Sequence, residues 1–234
     1  MKFKAILFDL FGTLIDDFAA STGQMHTEMA AVLAVPYERF IPLWGKTTEM
    51  RIIGAFDTVE ANIEYVLDAI SFRAQPDQIS KAVEIRMKYI TRALQPRPGA
   101  IDTLNELKHH GYELGLLSNC SIEIPMIWHA TAFADLIDKP IFSSIERLRK
   151  PDERIYHLAC DRLGITPESC LYIADGEDHE LAAAAKVGLH PVLIRASSQE
   201  TSRRSHQEAR EWLGLTISTL PEVLRLVGVK TVKL

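Results

Sequence analysis

The stretch Lys4–Leu14, reading KAILFDLFGTL, constrains the fold of this chain more than any other. Four apolar, β-prone residues (Ala5, Ile6, Leu7, Phe8) lead into a carboxylate, Asp9, and Gly12-Thr13 supply a sharp exit. A continuous apolar run of this length fits a strand buried inside a parallel sheet. In open α/β sheets the ligand crevice lies beyond the carboxyl ends of the strands. Asp9 is thereby placed for chemistry rather than for surface solvation.

After Thr13 the pattern becomes helical. Met25, Met29, Val32 and Leu33 share one helical face, as do Ile63, Val66, Leu67 and Ile70, and then Ile79, Ala82, Val83, Met87 and Ile90. Turn signals at Pro36, Pro42, Gly45, Gly54 and Pro76 separate them. Residues 16–95 therefore read as an all-helical insertion, closed by the stiff link Pro96-Arg97-Pro98-Gly99, which suits a hinge. From Gly99 the chain alternates helix and strand. Helix faces are predicted at Ile101, Leu104 and Leu107, at Ile155, Leu158, Ala159 and Leu163 behind an Asp152 cap, and at Leu181, Ala184, Ala185 and Gly188. Strands are predicted at Glu113–Leu117, Ile141–Ser143, Cys170–Ala174 and Pro191–Ile194. Gln199–Arg210 reads as a charged, solvated helix and Leu220–Val227 as a terminal helix docked on the core. Such alternation implies an α/β fold, a parallel sheet with helices on both faces. Its core comprises residues 1–15 and 96–234, with the smaller helical domain at 16–95.

Composition removes several functional classes. The net charge of −5 gives no footprint for nucleic acid or an anionic membrane. No apolar run approaches the ~20 residues that span a bilayer. The N-terminus is a strand signal without a cleavage region, so no secretory peptide is expected. Cys120, Cys160 and Cys170 lack ligand spacing and read as reduced thiols of a cytoplasmic protein. A small-molecule substrate is the partner that remains.

Asp9, Ser118, Lys150 and Asp175 each follow an apolar run or precede a helix cap. Each would lie on the same carboxyl edge, giving a nucleophilic carboxylate, a hydroxyl donor, a fixed cation and a second carboxylate around one crevice. Singly these are ordinary residues: a cap, a turn, a surface lysine, a hairpin signal. Jointly, in this order, they suggest a site. Asp9 and Asp175 can share a hard cation such as Mg2+, which prefers oxygen ligands. Lys150 and that cation would neutralise a bound dianion, and attack by Asp9 on phosphorus would give an aspartyl-phosphate.

These residues resemble the four motifs of the haloacid dehalogenase-like hydrolases. ILFDLFGTL is similar to the first, Leu116–Asn119 (LLSN) to the second, Arg149–Gly164 to the third, and Tyr172–Gly188 (YIADGEDHELAAAAKVG) to the acidic fourth. The resemblance covers nearly the whole chain. It implies a Rossmann-like core, with the helical insertion as a mobile cap over the active site. It further implies that Asp9 is the nucleophile, that Thr13 orients it, and that Gly12, Ser118 and Asn119 serve the transferred group. Lys150 would neutralise that group. Asp9, Asp175 and the backbone carbonyl of Phe11 would hold Mg2+, with Glu180 as a further acid for the metal and Asp178 a weaker candidate. Glu180 also fits an exposed acid in a helix first turn, favoured by the dipole.

Phe11 departs from the phosphatase pattern, which places an acid two residues after the nucleophile. Such an acid protonates the leaving oxygen and then activates water, help worth about 10²–10⁴-fold. The dehalogenase branch carries an aromatic there, because departing halide needs no proton. The retained Asp175 leans the other way, since that branch replaces this acid and works without metal. Dehalogenation would also need a cap cation to grip a substrate carboxylate, and Arg39 and Arg51 are the residues on offer. Three readings follow: a Mg2+-dependent phosphatase of a small phosphorylated metabolite, a metal-independent 2-haloacid dehalogenase, and a catalytically weakened phosphate-binding or regulatory protein. Substrate choice would fall to the cap, around Phe18 and Lys46 to Thr48.

Overall fold

The computed structural model describes residues 3–16, 22–195 and 207–229. Strand β1 (Ala5–Phe8) is followed by five helices, α1 (Thr22–Val32), α2 (Tyr37–Lys46), α3 (Thr48–Ile52), α4 (Val59–Ala69) and α5 (Pro76–Ala93). Then come α6 (Ala100–His109), β2 (Glu113–Ser118), α7 (Glu123–Ile127), β3 (Lys139–Phe142), α8 (Ser143–Glu146), α9 (Glu153–Leu163) and β4 (Cys170–Ala174). The remaining elements are α10 (Glu180–Val187), β5 (His190–Ile194), α11 (Gln207–Glu211), β6 (Thr216–Ile217) and α12 (Glu222–Leu226). The six strands form one parallel sheet in the order β3-β2-β1-β4-β5-β6. Strand order reverses at β1, so the crevice that a doubly wound sheet opens at its switch point falls directly beyond Phe8.

Side chains alternate across the sheet. Ile6, Phe8, Leu114, Leu116 and Ile173 face α6, α7 and α12, and Ala5, Leu7, Leu117 and Tyr172 face α9 and α10. Each large apolar side chain buried this way contributes roughly 1.5–3 kcal/mol. Gly115 stands where a Cβ would come within 2.8 Å of Leu7, so close packing of α9 on the strands requires its absence. The helical insertion has its own core of Met25, Met29, Leu33, Phe40, Trp44, Ile63, Val66 and Leu67.

The predicted elements appear with small shifts. The third strand begins two residues earlier than expected and ends at Phe142, because Ser143 starts α8. Ala185 is exposed rather than on the packed face of α10. Of the expected 199–210 helix, residues 199–206 lie outside the described residues. The described part, α11, is not fully solvated: Glu208 is buried and accepts from the Leu181 and Ala182 amides, capping α10. Those are donors that a helix N-terminus leaves open.

Candidate active site

The site grows from the turn that ends β1. The Asp9 amide continues the ladder to the Ile173 carbonyl at 2.9 Å, and the Leu14 and Ile15 amides fold back on the Leu10 carbonyl at 2.9 and 3.0 Å. Gly12 takes φ +72°, a left-handed value that costs a glycine little. Arg97, buried at the far end of the insertion, donates to the Gly12 carbonyl and pairs with Asp16 at 2.8 Å. Its amide also bonds the Leu14 carbonyl at 2.9 Å. The C-terminal end of the insertion is thus tied to the loop that carries Asp9.

Asp9, Lys150, Asp175 and Glu180 converge, and all four are buried. The Lys150 ammonium donates to Asp9 Oδ1 at 2.5 Å, to Glu180 Oε2, and to the Tyr172 hydroxyl at 3.1 Å. Ligand oxygens of Asp9, Asp175 and Glu180 lie within 4.8 Å of one another. Burial pushes the Asp9 carboxyl up to about 7, with Lys150 offsetting part of the rise and Glu180 adding to it. Burial, then Glu180 and Asp9, hold Asp175 well above the ordinary carboxylate range. Burial alone would lower Lys150, but the Asp9 and Glu180 carboxylates outweigh it and hold the ammonium charged. Three carboxylates facing one ammonium leave an excess of acid, which a hard divalent cation with oxygen ligands would offset. The donor set therefore fits Mg2+.

The Thr13 and Ser118 hydroxyls are fully buried beside this cluster, and Thr13 Oγ1 meets no acceptor among the described residues. Asn119 clamps the loop of Lys150: its Nδ2 donates to the Lys150 carbonyl at 3.0 Å and its Oδ1 accepts from the Lys150 amide at 2.9 Å. Asn119 also lines the cleft beside Asp9, together with Phe11, Glu177 and Asp178.

Glu180 is not the exposed acid that a helix first turn suggested; it is 1% exposed. Asp178 pairs with Arg149 at the rim. Arg39 donates to the Ile70 carbonyl at 2.5 Å, and Arg51 to Trp44, Thr47, Thr48 and Asn62 within the insertion. Neither arginine lines the cleft of Asp9. Phe18 lies outside the described residues. Three residues that matter here were not anticipated: Tyr172, Arg97 and Arg149. The first hides in an apolar strand run, Arg97 reads as part of the stiff link, and Arg149 opens the third motif without a pattern that assigns it a partner.

A buried carboxylate, a fixed ammonium and a second acid thus meet at the switch point of a doubly wound sheet. The profile of the haloacid dehalogenase-like hydrolases matches residues 3–188, and the chain belongs to that family. It is 26% identical to (S)-2-haloacid dehalogenase 4A of Burkholderia cepacia over 82% of each chain. It is 25% identical to phosphatase MT3486 of Mycobacterium tuberculosis over 85% of this chain and 90% of that one. In structure it resembles the HAD phosphatase of Thermococcus onnurineus, with a TM-score of 0.66 and 19% identity over 98% of this chain and 100% of that chain.

Proposed function

We propose that this hydrolase is a Mg2+-dependent phosphoric monoester hydrolase acting on a small phosphorylated metabolite through Asp9. The observation that carries the reading is the buried excess of carboxylate around Asp9 and Asp175. Asp9, Asp175 and the Phe11 carbonyl would hold the cation, and Glu180 is close enough to join them. When bound, the cation would neutralise charge on the phosphoryl oxygens. Lys150 fixes Asp9 Oδ1 and limits rotation of the nucleophile, while the Thr13 and Ser118 hydroxyls would serve as donors to Asp9 and the phosphoryl group.

An Asp9 oxygen bonds to phosphorus and the ester P–O bond breaks. The leaving oxygen takes its proton from water, because Phe11 has none to give. Water then adds to phosphorus and the bond to Asp9 breaks; the proton that water loses neutralises the hydroxide left by the first step, and inorganic phosphate leaves with the Asp9 carboxylate restored. This route favours good leaving groups.

Phe11 supports a second reading, metal-free hydrolysis of a 2-haloacid by the same nucleophile. Against it, Arg39 and Arg51 are engaged by neutral groups of the insertion. One panel separates the two: p-nitrophenyl phosphate with Mg2+ and with chelator, beside halide release from 2-chloropropionate. Chelator-sensitive phosphate release is expected. Chelator-insensitive halide release would replace the first reading with the second. If neither product forms while Mg2+ or phosphate still binds, the chain is a phosphate-binding protein.

A further inference from the structure

Glu180 stands near enough to Asp9 and Asp175 to complete a cation site, yet most of its acceptor capacity is already taken. An ionised carboxylate offers about four lone-pair sites over two oxygens. Oε1 accepts from the Gly176 amide at 3.1 Å. Oε2 accepts from the Tyr172 hydroxyl at 2.6 Å and from the Lys150 ammonium. Its backbone is held too, the carbonyl accepting from the Tyr156 hydroxyl at 3.0 Å. Reaching a cation through Oε2 would require Glu180 to give up Tyr172, Lys150 or both, and Oε1 keeps a single open site beside the Gly176 amide.

The same accounting holds for the lysine. An ammonium has three donors, and those of Lys150 go to Asp9, Glu180 and Tyr172. Tyr172 closes the loop by accepting from Lys150 and donating to Glu180. It is fully buried in β4, at a position where the sheet needs only an apolar ring. A Phe would fill that space equally. The hydroxyl is the part that packing does not explain, and buried hydroxyls require a partner.

Resting on the phosphatase reading, we propose that Glu180 anchors Lys150 rather than ligating the cation, and that Tyr172 is the positioning residue that holds it there. The cation then falls to Asp9 and Asp175. Glu180 balances the ammonium, and Tyr172 keeps both groups in one geometry. Lys150 is thus aimed at Asp9 before a dianion arrives.

Two measurements test this on the full chain. In crystals grown with Mg2+, Glu180 should remain on Lys150 and Tyr172 while Asp9 and Asp175 meet the ion. A Glu180 oxygen bound to the ion would overturn the proposal. Tyr172→Phe keeps every charge and the ring. It should lower kcat on p-nitrophenyl phosphate about tenfold, as loss of alignment does. KM, and Mg2+ affinity by calorimetry, should stay within about twofold on the scale where tenfold is 1.4 kcal/mol. Unchanged kcat with the variant folded removes Tyr172 from the role. If the wild type binds no Mg2+, the phosphatase reading fails but the anchor is still read by 15N NMR of the lysine ammonium. Its protons should resist exchange in the wild type and exchange freely in Tyr172→Phe. Equal exchange in both would end the proposal on its own.

Discussion

Two charge clusters of opposite sign, one buried and one partly buried, sit in this molecule, and they are satisfied in different ways. Beyond the carboxyl edge of the sheet, Asp9, Asp175 and Glu180 share one ammonium. Where the insertion meets α7, Arg51 and Arg86 share one carboxylate, Glu123, which pairs with Arg86. Both guanidinium groups lie over the Trp44 ring, 4.5 and 5.0 Å from its centroid. Burial, then Arg86, push Arg51 down to about 9, and burial with the same two arginines pushes His26 down to about 4. Guanidinium is weakly hydrated and stacks on aromatic faces, so an excess of it is tolerated by a ring and neutral acceptors. Carboxylate has no such refuge. Its excess at the sheet edge calls for a cation, whereas the excess at the insertion is absorbed by Trp44, Thr47, Thr48 and Asn62. On the phosphatase reading, sign and surroundings together separate a cluster that would take a cation from one satisfied by neutral acceptors and a ring.

Removing the proposed nucleophile breaks the contrast most strongly. Asp9→Asn should lower hydrolysis by at least about 10³-fold, because no covalent intermediate can form. The variant should nevertheless fold at least as well in chelator, since it deletes one of three mutually repelling acids. Retained turnover, measured with p-nitrophenyl phosphate and Mg2+, would exclude Asp9 as nucleophile.

Restoring the absent acid is the next largest change. Phe11→Asp should raise phosphatase kcat by about 10²-fold, within the range that general acid–base help supplies. The gain should be larger on alkyl phosphates than on p-nitrophenyl phosphate, whose leaving group needs no proton. Phe11 also packs against the core, so a thermal melt must accompany the kinetics. A folded, metal-binding variant with no gain would refute the account of the missing acid.

The acidic cluster further predicts how stability depends on pH. Asp9 and Asp175 are held above their ordinary values, so the folded chain binds protons more tightly than the unfolded chain. Their contribution is fully present below about pH 4 and is lost as pH rises through about 7 for Asp9. Mg2+ binds the ionised groups, so its stabilisation should grow between pH 6 and 8. At tenfold over its Kd it gives about 1.4 kcal/mol, a Tm rise of roughly 3–5 °C for a chain of this size. Melting curves at both pH values, with Mg2+ and with chelator, check the sign. A Mg2+ effect that is larger at pH 6, or equal in Asp9→Asn, would count against the cluster as the cation site.

The edge of the sheet was legible in the sequence because its chemistry is local. Asp9, Ser118 and Asp175 sit at or just past strand ends that their apolar neighbours define, and Lys150 immediately precedes a helix start capped by Asp152. The apolar faces of α1 and α4 were equally plain from helical spacing. Glu180 could not be placed, because its burial depends on Tyr172 and Lys150, 8 and 30 residues away. Tyr172 reads as one more β-prone residue until the partner of its hydroxyl is seen. Arg97 reads as part of a hinge, and only the folded chain shows it bonded to Gly12, 85 residues distant.

The smallest effect concerns the contact between the two regions. Arg149, next to Lys150, reaches Glu49 on α3 and Asp178 on the loop after β4. Nearby, Ser143 Oγ donates to the Ile52 carbonyl at 2.7 Å. Gly54, at φ +68°, passes so close to the Ser144 carbonyl oxygen that a Cβ would stand 1.9 Å from it. These contacts also seat the end of α3 on the core, and the ion pairs supplement them. Glu49 is largely exposed, and such pairs are worth about 0–1 kcal/mol. Arg149→Ala should therefore change kcat/KM no more than about fivefold. Because Arg149 also restrains Asp178 at the cleft, the change should appear in KM before kcat, and it should shrink at high salt in the wild type. Glu49→Ala leaves the Asp178 pair intact and should do less. If Glu49→Ala instead matched Arg149→Ala, the bridge to α3, rather than the restraint on Asp178, would be the part that matters.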